Sequence, residues 1–279
     1  LPVYHSGQAS EELEEIRAAL RSLEKFHPEN MSAANQYTYI LLSTYLRATE
    51  ECSSYLYYEE PLSPSSGAQS NLPVLLAEYR LSSAGDVENY LSLLAQIPAY
   101  LEGLTLYERE KADMGLFMSD SCADKVIEQC VALMDEEALQ SDSHFLESTF
   151  AKRLNELLEQ NLIEKEDAEY WYAENKRLLT TVVAPAYDRL ADELTLLKGS
   201  GVNAQGLAGY EYGREYYQAY LRLITGSYRT IPEIKQMLSE DFEKNYIALI
   251  TLLREEPALN DKLSTVNAFF PTKKKKKIL

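Results

Sequence analysis

The chain has 279 residues, of which 46% are apolar and 25% charged, so it can bury a core in one large domain or two smaller ones. Its formal net charge is −17, although five of its 27 basic residues form a single run at Lys273 to Lys277. Because an acidic surface repels phosphates, this charge argues against nucleic acid or an anionic membrane as a partner.

Helical periodicity of apolar residues runs through the first half of the chain. Ser10 is predicted to open the first helix, with Leu13 and Leu20 on its apolar face. The segment PLSPSSG at 61–67 is predicted to be a loop, because it is rich in proline, serine and glycine. The predicted helices are Ser10 up to the His27–Asn30 segment, Ser32 to Tyr57, Asn71 to Leu81, and Asp86 to Gly115.

The second half shows the same periodicity, with clearer start and stop signals. Thr230 and Glu233 form the pattern of a capping box, in which each satisfies a backbone N–H of the other. Gly199 suits the C-terminal cap of the helix before it. Two helices are predicted to begin at Ser119 and at Ser143. The helices predicted after them span Lys165 to Leu197, Arg214 to Ile224, Thr230 to Glu255, and Ala258 to Leu263.

Two prolines lie inside the longest patterns, Pro98 and Pro185, and each is expected to kink or break its helix. Since no segment shows a competing strand pattern, the sequence predicts an all-α fold, an irregular multi-helix array with long kinked helices. We expect residues 1–279 to be a single helical domain or a fragment of a larger one. A subdivision into 1–115 and 116–270 is an alternative, followed by a lysine-rich tail at 271–279.

The sequence contains no apolar run near the roughly 20 residues of a transmembrane helix, and its first residues lack the features of a signal peptide. The chain does not begin with Met, and we expect an excised piece of a longer protein. The three cysteines, Cys52, Cys122 and Cys130, have no CxxC spacing and are predicted to be free, mostly buried thiols.

No self-contained catalytic motif is present. The histidines His5, His27 and His144 are isolated, and neither a His-Glu-x-x-His helix nor a Gly-x-Ser-x-Gly elbow occurs. The adjacent glutamates at 11–15 are typical of a solvated helix face. The sequence therefore assigns no metal ligand and no catalytic residue within this chain.

The stretch from Gly199 to Glu233 is the strongest candidate for a binding site. It holds six of the 11 glycines, between two helical patterns and among several tyrosines. Tyr216 and Tyr217, and less strongly Tyr212, could line a cleft and donate hydrogen bonds to a peptide; as an alternative, they are core residues with satisfied hydroxyls. Arg214 opens a helix, where the dipole disfavours a cation, so it is a candidate for binding a partner carboxylate.

Several blocks of this sequence, read in order, resemble the bacterial family of unknown function numbered 885. Together they cover most of the chain, from about Ala33 to Leu253. The blocks are PLSPSSGAQSNLP at 61–73, DVENY at 86–90, QIPAY at 96–100, EREK at 108–111, GLFM at 115–118, VIEQC at 126–130, VAPAY at 183–187 and GLAGYEYGREYY at 206–217.

The family in turn resembles helical zinc metallopeptidases of the gluzincin type, whose zinc-binding segment would lie C-terminal to the region matched here. The resemblance implies that this chain is the N-terminal helical half, that it forms one wall of a substrate cleft, and that it is inactive alone. Zinc is expected in the full-length protein and not in this piece. Its partners would be the C-terminal catalytic half and a peptide substrate, with Arg214, Tyr212, Tyr216 or Tyr217 positioning the peptide.

Two other functions remain open on the sequence alone. One is a non-enzymatic helical module that binds a peptide or a partner protein at the cell envelope, since the resemblance implies export as a surface lipoprotein in some members. The other is a helical scaffold without a ligand. The presence or absence of a His-Glu-x-x-His-type helix in the following part of the gene would separate the enzyme from the binding module.

Overall fold

The computed structural model describes residues 1–141, 143–201 and 205–259, and within them it contains α-helices and no strand. The predicted all-α class is confirmed. Short 3₁₀ turns lie at Pro28–Asn30 and Gly206–Gly209. The helices are α1 Gln8–Leu23, α2 Ala33–Ser53, α3 Ala68–Ala77, α4 Ala84–Asp113, α5 Asp120–Leu133, α6 Glu136–Gln140, α7 Phe145–Glu159, α8 Lys165–Leu178, α9 Ala184–Leu197, α10 Gly213–Thr225 and α11 Ile231–Glu255.

The chain divides into two compact units, Leu1–Gly226 and Ser227–Leu279. In the described part of the second unit, α11 begins with the predicted capping box, which is confirmed: the Glu233 N–H donates to Thr230 Oγ1, and the Thr230 N–H donates to Glu233 Oε2 at 2.7 Å. The lysine-rich tail and most of the last predicted helix lie outside the described residues. The alternative boundary near residue 115 stays a prediction.

The core of the first unit is built where α9 packs against α4 and α5, with α7 and α8 beside them. Tyr90 of α4 stacks on Phe150 of α7 with ring centroids 5.0 Å apart, and both are fully buried. Tyr187 of α9 is also buried and donates a hydrogen bond to the carbonyl of Gln69 at 3.0 Å. Because burial of one such large side chain contributes roughly 1.5–3 kcal/mol, this face holds the unit together.

The two internal prolines have different effects on their helices. Pro98 does not interrupt α4, whose buried face continues from Leu94 and Ile97 before the proline to Leu101 after it. Before Pro185, by contrast, the chain widens into a π-helical turn at Leu179–Val183 that joins α8 to α9. A wider turn accommodates the missing proline N–H and the bulk of its ring, so the predicted break of the long helix takes the form of a π-bulge.

Some helix starts differ from the predicted ones. α1 begins at Gln8 after Gly7, so Ser10 lies within the helix and does not cap it. His144, not Ser143, precedes α7, and its Nδ1 accepts the Leu146 N–H at 3.3 Å. The short α6 was not predicted, since five residues carry too little periodicity. The left-handed φ of +81° at Gly199 matches the predicted helix cap.

Candidate functional site

A pocket of about 390 Å³ lies within the first unit, among the N-terminal segment, the end of α2, α4 and α10. Aromatic side chains make up much of its lining. We call it the tyrosine pocket, after its lining residues Tyr4, Tyr55, Tyr57, Tyr107, Tyr216 and Tyr220.

The first group of these tyrosines is held together by one carboxylate. Tyr4 and Tyr57 both donate their hydroxyl hydrogens to Glu110 Oε2, at 2.6 and 3.1 Å. Tyr4 also packs edge-on against Tyr107, with ring centroids 5.2 Å apart. The N-terminal segment can lie this close to α4 because Gly103 has no side chain: a Cβ there would be 2.7 Å from the Tyr4 nitrogen.

The second group is a small separate core around Tyr58. The ring of Tyr58 packs against Tyr210 at 5.2 Å and against Tyr216 at 5.4 Å, measured between centroids. Tyr210 donates its hydroxyl hydrogen to the carbonyl of Leu116, which ties the loop before α10 to the end of α4. Packing in this small core holds α10 in place, and α10 contributes Tyr216 and Tyr220 to the pocket lining.

The pocket offers phenol groups that are available to a ligand. Tyr107 and Tyr216 make no hydrogen bond through their hydroxyls to the residues that the structure describes, although both are mostly buried. Burial is the main cause that raises the pKa of each phenol above its usual value. Both hydroxyls therefore stay protonated and can donate a hydrogen bond to a carbonyl oxygen.

Next to the pocket lies a buried ionic group that we call the lysine cluster, made of Lys111, Glu60 and Glu108. Lys111 is fully buried, and its Nζ lies 2.8 Å from Glu60 Oε2 and 3.7 Å from Glu108 Oε2. The same Nζ donates to the carbonyl of Glu59 at 2.9 Å. The cluster thus attaches the segment before the proline-rich loop to α4, and that segment supplies Tyr57 and Glu59 to the pocket.

Glu108→Gln is expected to make folding less sensitive to pH. Burial raises the pKa of Glu108 from about 4.5 to about 7, so the folded state binds its proton more tightly than the unfolded state. The glutamate therefore lowers stability as pH rises from about 4.5 through 7, by at most about 3 kcal/mol for a shift of this size. Between pH 5 and pH 8, the free energy of unfolding measured in urea should fall more steeply for the wild type than for Glu108→Gln.

The exposed Glu102 of the same helix provides the control for this measurement. Glu102→Gln removes one negative charge without changing a buried group, so its stability should follow the wild-type pH profile. If the free energy of unfolding of Glu108→Gln and of the wild type changed equally with pH, the raised pKa of Glu108 would be contradicted.

The structure places the four predicted substrate-binding residues in different environments. Tyr216 is buried and lines the pocket. Tyr212 and Tyr217 are 51% and 41% exposed and are not among its lining residues, nor is the exposed Arg214. The Tyr212 backbone N–H donates to the hydroxyl of Tyr58 at 3.3 Å, which is a structural contact. A role in binding stays a prediction for all four.

Sequence reasoning missed most of the pocket. Tyr55, Tyr57 and Glu59 belong to the segment SSYLYYEE at 53–60. The sequence predicts a helix that continues to Tyr57, whereas α2 ends at Ser53. Three tyrosines and two carboxylates directly before a proline-rich loop are an unusual composition that could have marked it. Tyr4 and Tyr107 carried no local signal, because only the fold brings them together.

The described residues contain no group of three or more histidines, cysteines or acidic residues that could hold a metal ion. All three cysteines are free, as predicted, and Cys52 lies in the pocket wall, where burial raises its pKa to about 11. A thiol with that pKa is a poor nucleophile at neutral pH. Over the described residues, no helix has both the length and the apolar character needed to cross a membrane.

Comparison with known proteins gives a family match over residues 1–278, to the family described as "Bacterial protein of unknown function (DUF885)". The fold is similar to the crystal structure of a "putative lipoprotein" from Colwellia psychrerythraea, with a TM-score of 0.71 at 12% sequence identity. That similarity covers 92% of this chain and 44% of the other, so the chain spans less than half of its structural neighbour. A search among curated proteins finds no match. Since the family match covers nearly every residue, the chain belongs to the DUF885 family of bacterial proteins.

Proposed function

We propose that this chain forms the substrate-binding side of a zinc-dependent peptidase and that it is inactive alone. The observation that carries the proposal is the position of Tyr216. The segment at 206–217 carries part of the family resemblance, and its last residues form the start of α10, which brings Tyr216 to the tyrosine pocket. The hydroxyls of Tyr107 and Tyr216 can donate to peptide carbonyls, while the aromatic rings contact apolar side chains of a substrate.

The metal of this enzyme would be held by residues outside the chain. The described residues offer no ligand set for zinc, so no step of a metal-dependent reaction is assigned to them. When bound, zinc would supply a polarised water for hydrolysis. The part played by this chain is to bind and orient the peptide. Since the structural neighbour is more than twice as long, there is room in a longer protein for a catalytic part.

The test compares the complete gene product with the present chain. The complete protein should bind zinc and hydrolyse peptides, and the present chain should do neither. Stoichiometric zinc on this chain alone, or a zinc-loaded complete protein without hydrolysis of a diverse peptide mixture, would contradict the proposal. In the complete protein, Tyr216→Phe should raise KM several-fold with a smaller change in kcat, because the hydroxyl is expected to bind substrate throughout the reaction.

Tyr170→Phe is the matched control, because Tyr170 is 66% exposed on α8 and lies outside the pocket lining. It should leave both constants unchanged. Unchanged kinetics for alanine at Tyr216 and Tyr217 would instead favour a purely structural role for the loop.

The alternative is a non-enzymatic module that binds a peptide or a partner protein at the cell envelope. Two observations favour it: the structural neighbour is described as a lipoprotein candidate, and α2 exposes an apolar stripe of Tyr37, Leu41 and Tyr45, each at least 57% exposed. We extend export to the cell envelope to this chain only as part of the proposal. Peptide binding by the complete protein without hydrolysis would support the module.

A further inference from the structure

The tyrosine pocket carries negative charge in its lining. Among the described residues that line it, Glu12 and Glu59 are the two charged ones, and none is a lysine, arginine or histidine. Glu12 accepts a hydrogen bond from Gln8 Nε2 at 2.6 Å, whereas the Glu59 carboxylate makes no hydrogen bond or salt bridge within the described residues. Glu59 keeps solvent-exposed surface, yet partial desolvation, and after it the charge of Glu12, raises the pKa of its carboxyl.

The neighbouring Lys111 offsets this charge only in part: it opposes the rise in the pKa of Glu59, but desolvation and the charge of Glu12 outweigh it. Its ammonium is paired with Glu60 and lies close to Glu108, and towards Glu59 it contacts the backbone carbonyl. The lysine cluster therefore contains two carboxylates for one cation. It adds no net positive charge beside the pocket, even when Glu108 is protonated.

Glu59 lines the same pocket as the aromatic rings of Tyr107 and Tyr216. After burial, the negative charge of Glu59 is among the causes that raise the pKa of both phenols. Tyr216 in turn stacks on Tyr220, with ring centroids 6.0 Å apart. The faces of such rings attract cations, and the attraction grows when the site is partly shielded from water.

From this combination we infer that the tyrosine pocket binds an organic cation, namely the ammonium or guanidinium group of a peptide. Glu59 would accept hydrogen bonds from the cation, Glu12 would add negative charge, and the rings of Tyr107 and Tyr216 would surround it. The inference rests on the proposed function only for the identity of the ligand as a peptide. The binding itself belongs to this chain and needs no catalysis.

The experiment titrates three short peptide amides into the present chain by calorimetry or NMR. The first has a free amino terminus and a central norleucine, the second an acetylated terminus and a central lysine, and the third an acetylated terminus and a central norleucine. At least one of the two charged peptides should bind tenfold more tightly than the neutral one. The one that does identifies the source of the cation as the terminus or the side chain.

Glu59→Gln should weaken binding of the preferred charged peptide about tenfold and leave the neutral peptide unaffected. Glu15→Gln is the matched control, since Glu15 is an exposed residue of α1 outside the pocket lining, and it removes the same net charge. It should change affinity less than twofold. Circular dichroism and the neutral peptide establish that each variant is folded.

Equal affinity for charged and neutral peptides, or equal effects of Glu59→Gln and Glu15→Gln, would overturn the inference. These results are distinct from failure of the proposed enzyme. If this chain prefers cationic peptides but the complete protein does not hydrolyse peptides, the proposed peptidase function is wrong and the inferred cation site stands. If the complete protein hydrolyses peptides but this chain shows no preference for cationic ones, the peptidase function stands and the cation site is wrong.

Discussion

Lys111→Met is expected to lower the free energy of unfolding by about 3–5 kcal/mol, the largest effect of any single substitution considered for this chain. The lysine is fully buried, and its ammonium lies 2.8 Å from Glu60 Oε2. Removing it leaves the buried carboxylate of Glu108 and the carbonyl of Glu59 without their cationic partner. An uncompensated buried charge costs more than the pair contributed, and this is why the loss is large.

The expected loss depends on pH in a way that identifies its cause. Burial raises the pKa of both Glu60 and Glu108, so at pH 5 these carboxyls take up protons more readily and the missing lysine matters less. The destabilisation measured by urea unfolding should therefore be smaller at pH 5 than at pH 8. Adding Glu108→Gln to Lys111→Met should restore part of the stability, as expected for residues that interact directly.

Lys125→Met provides the comparison, because Lys125 is exposed on α5 and makes no described salt bridge. Its effect should lie within about 0.5 kcal/mol. A Lys111→Met variant that unfolds at the wild-type urea concentration at pH 8 would show that the lysine cluster contributes no net stability.

Local signals in the sequence were enough to place most helices. The capping box at Thr230 and the N-cap at Ser32, whose hydroxyl accepts the Asn35 N–H at 3.3 Å, both act within four residues. Such interactions form wherever the chain adopts a helix, so they can be read without knowledge of the fold. The predicted ends of α10, Arg214 and Ile224, also lie within one residue of the observed ends, Gly213 and Thr225, although no side chain caps the start of this helix.

The sequence could not show which apolar residues become buried. On α2 the apolar positions Tyr37, Leu41 and Tyr45 are more than half exposed, whereas Cys52 of the same helix is buried. Helical periodicity defines a face but does not say whether another element covers it. Burial on α2 is decided by tertiary packing, which lies beyond any local pattern.

The candidate site shows the same limit. The loop that delivers Tyr216 could be predicted, because dense glycine between helices is a local feature. The partners Tyr4 and Tyr107, separated by about 100 residues, meet only because Gly103 admits the N-terminal segment against α4. The position of Glu59 among tyrosines likewise follows from the contact of its carbonyl with Lys111.

The second large effect is expected for Gly213→Ala, which should lower the free energy of unfolding by about 3 kcal/mol and weaken ligand binding in the tyrosine pocket. A Cβ at this position would lie 1.6 Å from the carbonyl oxygen of Leu207, a backbone atom that cannot rotate away. The loop before α10 would have to move, and with it Tyr210, which anchors the loop to the Leu116 carbonyl. Overpacking of this kind costs typically 1–3 kcal/mol, and more when the backbone must shift.

Gly85→Ala separates this close contact from the general effect of replacing a glycine in a helix. Gly85 lies in the first turn of α4, and an added Cβ would have its nearest neighbour at 3.8 Å, an ordinary contact. Alanine there should stabilise the chain by about 0.5–1 kcal/mol, because it restricts the unfolded state and favours the helix. Opposite signs for the two variants would locate the strain at the Leu207 carbonyl. A stabilising Gly213→Ala would mean that the Leu207 carbonyl does not pack against Gly213 as it does in this structure.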